Sequence, residues 1–118
     1  INIWGFKEIR YDSGNIKYIK YFKELFPQTK VIIQIRENLF NQSNSGWFKG
    51  DHNALKYLKN NTKELIDFGM ANKEWCYLNS FEKMFVRNNL KNIFSFIGCG
   101  ENYDENKITE VLNNNIKD

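Results

Sequence analysis

Residues 31–35 read Val-Ile-Ile-Gln-Ile, and this run constrains the fold more than any other stretch. A nearly continuous β-branched segment over 30–35 suits a strand covered on both faces in a parallel sheet. Pro27 stands just upstream and disfavours helical geometry at Phe26. Before it, Ile16, Ile19, Phe22 and Leu25 with Phe26 recur at helical spacing, which predicts a helix over 18–26. Residues 1–10 mix Ile, Trp and Phe in a short apolar run, a buried-strand signal. Strand, helix and strand in that order make a βαβ unit.

The rest of the chain is helical with one interruption. Asp12-Ser-Gly-Asn15 is a turn cluster that also supplies capping side chains. A second helix is expected over 38–48, with Gly46 and Gly50 at its end. Asp51 is placed to cap a third helix, whose apolar face is Ala54, Leu55, Leu58, Leu65 and Ile66. Residues 75–78 are a short strand candidate. Val86, Leu90, Ile93, Phe94 and Ile97 form the stripe of a fourth helix, stopped at Gly98. Asp104 caps a last helix carrying Ile108, Val111 and Leu112. The expected fold class is α/β: an incomplete parallel sheet in a three-layer αβα fragment with a helical C-terminal half. Residues 1–118 read as one domain or part of one.

Composition removes several function classes. Hydrophobic residues at 42% and aromatics at 16% exclude a disordered tail. A net charge of +3 is too mild for the dense basic stripe of a nucleic-acid binder, so no nucleic-acid partner is expected. No apolar run reaches the roughly 18 residues of a helical span, and no signal peptide is visible, so a cytoplasmic location is expected. Cys76 and Cys99 fit no C-x-x-C motif and read as free thiols, with a disulfide as the alternative in an extracytoplasmic setting. His52 stands without a second histidine, so no metal is expected.

The chemistry concentrates after the β-branched run. Ligands of open α/β sheets sit at the carboxyl ends of strands, and Arg36 stands at that end. Its planar fork suits bidentate phosphate binding. Ser43 and Ser45 on the following helix add neutral donors. The competing reading is an ion pair between Arg36 and Glu37 or another carboxylate.

Three stretches together resemble the PAPS-dependent sulfotransferase family, enzymes that move a sulfuryl group from 3′-phosphoadenosine 5′-phosphosulfate to a hydroxyl or amine. Trp4-Gly-Phe-Lys-Glu-Ile-Arg-Tyr11 is similar to a strand of bacterial-type and carbohydrate sulfotransferases. Phe26 to Arg36, followed by Ser45-Gly-Trp-Phe48, is similar to the family's 3′-phosphate-binding strand and helix. Tyr77-Leu-Asn-Ser-Phe-Glu82, then 90–98 and 103–112, resembles its late region. The resemblance implies a P-loop-like sulfotransferase fold, of which this chain is the C-terminal part. It implies PAPS as co-substrate, with Arg36 and a serine of the next helix on the 3′-phosphate. The family's serine position falls here on Asn44, flanked by Ser43 and Ser45, so all three are candidates. The family's 5′-phosphosulfate loop has no counterpart in the sequence, so the 118 residues alone are expected to be inactive.

Sulfuryl transfer needs a base at the acceptor hydroxyl and cations on the transferring group. Glu8 is the candidate base, with Lys7 and Arg10 as the candidate cations. In a strand, Glu8 and Arg10 share a face opposite to Lys7. The alternative is a Glu8–Arg10 pair that only orders the strand end. In heparan-type enzymes a glutamate precedes the lysine of this strand, whereas here Phe6 does. The expected partner is a glycan or other small hydroxylated acceptor. Trp47, Phe48, Trp75 and Tyr77 either stack on a sugar or belong to the core. A non-catalytic nucleotide- or polyanion-binding domain is the alternative function.

Overall fold

A computed structural model describes residues 3–8, 14–44, 49–84 and 86–113. The helices follow the apolar spacing. α1 (Lys17–Leu25) ends before Pro27, with the Phe26 N–H donating to the Phe22 carbonyl at 2.9 Å. α2 (Leu39–Ser43) is a short helix capped by the Asn38 side chain, which accepts from the Asn41 N–H at 2.9 Å. α3 (Ala54–Ala71) is the longest element. Its cap residue is Asn53, and Asp51 acts two positions earlier, accepting the Asn53 N–H at 2.8 Å. α4 (Arg87–Phe96) closes at Gly98, whose φ of 84° is the left-handed conformation glycine tolerates best. There Gly98 N–H meets the Ser95 carbonyl and Cys99 N–H meets that of Phe94, which satisfies two end carbonyls. α5 (Glu105–Asn113) starts where Asp104 accepts the Asn106 and Lys107 N–H groups at 3.0 and 3.1 Å.

Two strands make the sheet of the described residues. β1 (Val31–Ile35) pairs in parallel with β2 (Cys76–Ser80), in the register Val31↔Cys76 to Ile35↔Ser80. The two strands are joined through α2 and α3, so this crossover is the βαβ unit that forms. The one expected to start in residues 1–10 lacks its first strand over the described part. Residues 3–8 make no strand, and Ile3, Trp4 and Phe6 are exposed. They pack on α1 instead, Trp4 on Phe26 and Phe6 on Phe22, with ring centroids 6.5 and 5.5 Å apart. An apolar run becomes a strand only where a neighbour offers backbone partners, and here aromatic stacking took the segment. The capping role expected of Asp12 and Ser13 lies outside the described residues; α1 begins after Ile16 without a side-chain cap. α2 stops at Ser43 with Asn44 as its C-cap, short of the helix expected over 38–48, and residues 45–48 lie outside the described residues.

Alternation sorts the side chains into two faces. Ile33 and Leu78 turn toward α3, and the approach is close. A methyl group added at Gly69 would lie 2.8 Å from Leu78 Cδ2 and 3.2 Å from Ile33 Cδ1. The absent side chain at Gly69 is what lets α3 lie on the sheet. Tyr77 and Asn79 turn to the other face and meet α4. The Tyr77 and Phe96 rings are 5.5 Å apart, and Asn89 donates to Asn79 at 2.7 Å. Helix α3, sheet and helix α4 thus form three layers. The expected two-sided cover of β1 is incomplete: Ile33 is 5% exposed but Ile32 is 41% exposed. The reason is that α4 lies over the side chains of β2, and no further strand flanks β1 among the described residues.

The core is accordingly small: Ile19, Ile33, Ala54, Leu58 and Cys76 are the buried apolar side chains of the described residues. The accessible surface is 9086 Å², against about 6,700 Å² for a compact monomer of 14.1 kDa. No helix of the described residues is long and apolar enough to cross a membrane.

Candidate functional site

Both strands end at the same level, because Ile35 is in register with Ser80. The chain leaves β1 through Arg36, Glu37 and Asn38 and leaves β2 through Phe81, Glu82 and Lys83, a single 3-10 turn. These two tripeptides touch residue by residue. The Arg36 guanidinium lies over the Phe81 ring, 4.4 Å from its centroid. The Glu82 carboxylate accepts the Glu37 N–H at 2.8 Å and the Asn38 N–H at 3.0 Å. It also accepts the Ser80 hydroxyl at 3.2 Å. Lys83 Nζ stands 3.5 Å from the Glu37 carboxylate. That pair is exposed on both sides and contributes little.

Desolvation works against the charged form of Glu82. Its backbone hydrogen bonds to Glu37 and Asn38 oppose this, with smaller help from its own N–H and Ser80. The carboxyl is held down to about 2.

Beneath the corner runs a chain of side-chain hydrogen bonds. Tyr77 Oη donates to Asn89 Oδ1 at 2.8 Å, and Asn89 Nδ2 donates to Asn79 Oδ1 at 2.7 Å. Asn79 Nδ2 in turn donates to Gln34 Oε1 at 2.6 Å. Asn89 Nδ2 also reaches the Lys83 carbonyl at 3.2 Å. The network ties β1, β2, α4 and the 3-10 turn together. Asn79, at 4% exposure, is the buried polar residue of the described chain, and its side-chain oxygen and nitrogen each have a partner.

Arg36 is different. Its Nε is buried without a hydrogen-bond partner, and its contact is the Phe81 ring. The carboxylate beside it, Glu37, faces Lys83 instead. A buried guanidinium N–H without an acceptor is a costly arrangement.

The helix that follows contributes less than its sequence suggested. Ser43 Oγ donates its one proton to the Phe40 carbonyl at 2.7 Å. Asn44 Nδ2 donates to the same carbonyl at 3.1 Å and keeps its second N–H. Ser45 lies outside the described residues, as do Gly46, Trp47 and Phe48. An open cleft of about 580 Å³ adjoins the corner, lined by Glu37, Asn38, Phe40, Leu55, Lys59 and Glu82.

The candidate catalytic residues stand on the N-terminal segment. Lys7 is exposed and Glu8 is half-buried, and neither lies in a strand; Arg10 is outside the described residues. The strand alternation that put Glu8 and Arg10 on one face has no basis in residues 3–8. Trp75 and Tyr77 are engaged in packing. Trp75 meets Phe68 edge-on at 5.8 Å and carries Lys23 over its ring, while Tyr77 stacks on Phe96. His52 is exposed. Cys76 and Cys99 are both free thiols, and burial pushes that of Cys76 up to about 11, against a smaller opposite pull from Lys23. No cluster of three or more His, Cys, Asp or Glu side chains that could hold a metal ion occurs among the described residues.

Phe81, Glu82, Asn79 and Asn89 escaped sequence reasoning as site residues. Glu82 entered only inside a longer motif. The one usable signal was a glutamate shortly after the strand expected over 75–78, which in the structure runs over Cys76–Ser80, and it acquires meaning only once β1 is known to end beside β2.

No protein-family model matches this chain, and no curated protein or solved structure shows significant similarity to it. The mixed α/β architecture with its small parallel sheet is therefore the level at which the fold is defined.

Proposed function

We propose that this chain forms part of a PAPS-dependent sulfotransferase, with Arg36 as the ligand of the donor's 3′-phosphate. The observation that carries the reading is the state of Arg36. It sits at the carboxyl end of a parallel strand with a buried, unpartnered Nε and no carboxylate on it. The family resemblance supplies the identity of the anion. Asn44 and Ser45 are the further candidates for the phosphate, and Ser43 would have to give up its bond to Phe40 to join them. PAPS supplies the sulfuryl group. In the transfer, an acceptor oxygen bonds to sulfur, the sulfur–phosphate oxygen bond breaks, and the acceptor proton passes to a base. Glu8 is the candidate base, with Lys7 and Arg10 as candidate cations; the resemblance supports this segment but not the individual residue.

Calorimetry with 3′-phosphoadenosine 5′-phosphate tests the site. Arg36→Ala should weaken binding by about 1.5–3 kcal/mol, the scale of a hydrogen bond to a charged group. Equal affinity of the two forms removes Arg36 from the site. The absence of a strand at 3–8 favours a second reading, an α/β domain that binds a nucleotide or polyanion without catalysis. Sulfuryl transfer from PAPS to a panel of hydroxylated glycans separates the two.

A further inference from the structure

We infer that Phe81 and Glu82 are positioning residues for Arg36: the ring sets the plane of the guanidinium, and the carboxylate sets the backbone from which it projects. The inference rests on the reading of Arg36 as an anion ligand and adds to it two residues from the other strand. The geometry is specific. A flexible arginine must lose rotamer freedom to hold one pose, so a ligand gains if the pose is fixed beforehand. Hydrogen bonds do not fix Arg36, because its buried Nε has none. The Phe81 face, 4.4 Å away, is the surface against which it rests.

The backbone needs its own restraint. Arg36 is the first residue past β1, and Glu37 and Asn38 lie beyond the ladder that pairs β1 with β2. Their N–H groups end on the two oxygens of Glu82, 45 and 44 positions away in sequence. Glu82 is held in turn by the Ser80 hydroxyl, and the Lys83 carbonyl by Asn89. Both restraints on Arg36 thus issue from one dipeptide. The residue after that dipeptide, Lys83, is anchored through Asn89 and Asn79 to the sheet itself.

A structural role for Glu82 in stability alone would leave Arg36 no looser than the rest of the chain. The test therefore reads Arg36 directly, by its rate of modification with phenylglyoxal, followed by mass spectrometry. Arg10 and Arg87 serve as references within the same chain. Glu82→Gln keeps the shape but turns an N–H₂ toward one backbone donor. Phe81→Leu keeps an apolar side chain but removes the ring. In each, modification of Arg36 should accelerate by about threefold or more relative to the other two arginines, as expected for a locally loosened segment. Unchanged relative rates in both variants overturn the inference. If circular dichroism shows Glu82→Gln unfolded, Phe81→Leu alone decides.

Binding supplies the second arm. Glu82→Gln should weaken 3′-phosphoadenosine 5′-phosphate about fivefold in the native background and not at all in an Arg36→Ala background. An equal loss in both backgrounds overturns the inference. A protein whose Arg36 is loosened as expected, but which never binds the nucleotide, keeps the positioning role and loses the sulfotransferase reading. A protein that binds through Arg36 and is indifferent to both substitutions keeps the reading and loses the positioning role.

Discussion

Replacing Asn79 by leucine probes the network under the corner at its buried centre. Asn79 is 4% exposed and makes two side-chain hydrogen bonds, to Gln34 at 2.6 Å and from Asn89 at 2.7 Å. Leucine keeps the branching and the number of heavy atoms and is somewhat larger, so no cavity opens and the lost hydrogen bonds dominate the outcome. A typical net value of 0.5–1.5 kcal/mol per bond gives about 1–3 kcal/mol for the pair. The two freed partners differ. Gln34 is exposed and recovers its bond from water, whereas Asn89 is half-buried and keeps only the Lys83 carbonyl for that nitrogen. The expected loss is therefore about 2 kcal/mol, which for a chain of this length lowers Tm by roughly 8 °C. Urea unfolding followed by tryptophan fluorescence measures it, with the slope unchanged from that of the native sequence. A loss below about 0.5 kcal/mol refutes the network, since surface substitutions already scatter that much. In a double-mutant cycle with Asn89→Ala the two losses should fall short of additive; strict additivity refutes the coupling.

Gly69→Ala should destabilise, although alanine favours a helix by about 1 kcal/mol. Its methyl group meets Leu78 and Ile33 at 2.8 and 3.2 Å, and such overpacking costs about 1–3 kcal/mol; a rise in Tm contradicts this packing of α3 on the sheet. Native protein treated with a thiol-specific aromatic disulfide should react at Cys99 first. Cys76 is 4% exposed and its thiol is held protonated, so its reaction should await unfolding, and prompt labelling of both refutes the burial. The carboxyl of Glu82 lies lower in the folded chain than its ordinary value of 4.5, so the folded state binds fewer protons there. Its contribution is complete above about 4.5 and is shed as pH falls toward about 2, so Glu82→Gln should flatten the acid limb of the stability profile. Because Glu82 is exposed to solvent, the effect should shrink with added salt, and identical acid limbs at low salt would count against the carboxylate contacts.

The elements with a strong internal period are legible in the sequence. α1, α3, α4 and α5 each carry an apolar stripe at helical spacing, and Pro27, Gly98 and Asp104 mark ends that the structure keeps. β1 was legible because four of its five residues are β-branched. Residues 3–8 misled for a physical reason. Periodicity reports which side chains seek cover, not what they meet; Trp4 and Phe6 meet the rings of Phe26 and Phe22 and stay largely exposed where a strand was expected. Arg36 could be placed from sequence because it directly follows the β-branched run. Its surroundings could not be, since Phe81 and Glu82 arrive from 45 residues away through a register no local pattern encodes.

The open edge of β1 bears on solubility. Val31–Ile35 holds no charge, no proline and no glycine, and in a two-stranded sheet one of its edges is unpaired among the described residues. Short uncharged segments of this kind are templates for intermolecular strand pairing. Lys30 and Arg36 stand immediately on either side of it. In stacked copies of β1 these cations would fall above one another and repel, so they act as gatekeepers. Arg36→Ala should then aggregate faster than Arg36→Lys at matched stability, whether or not an anion is present. The charge that suits Arg36 to a phosphate is the same one that keeps this strand from its own kind.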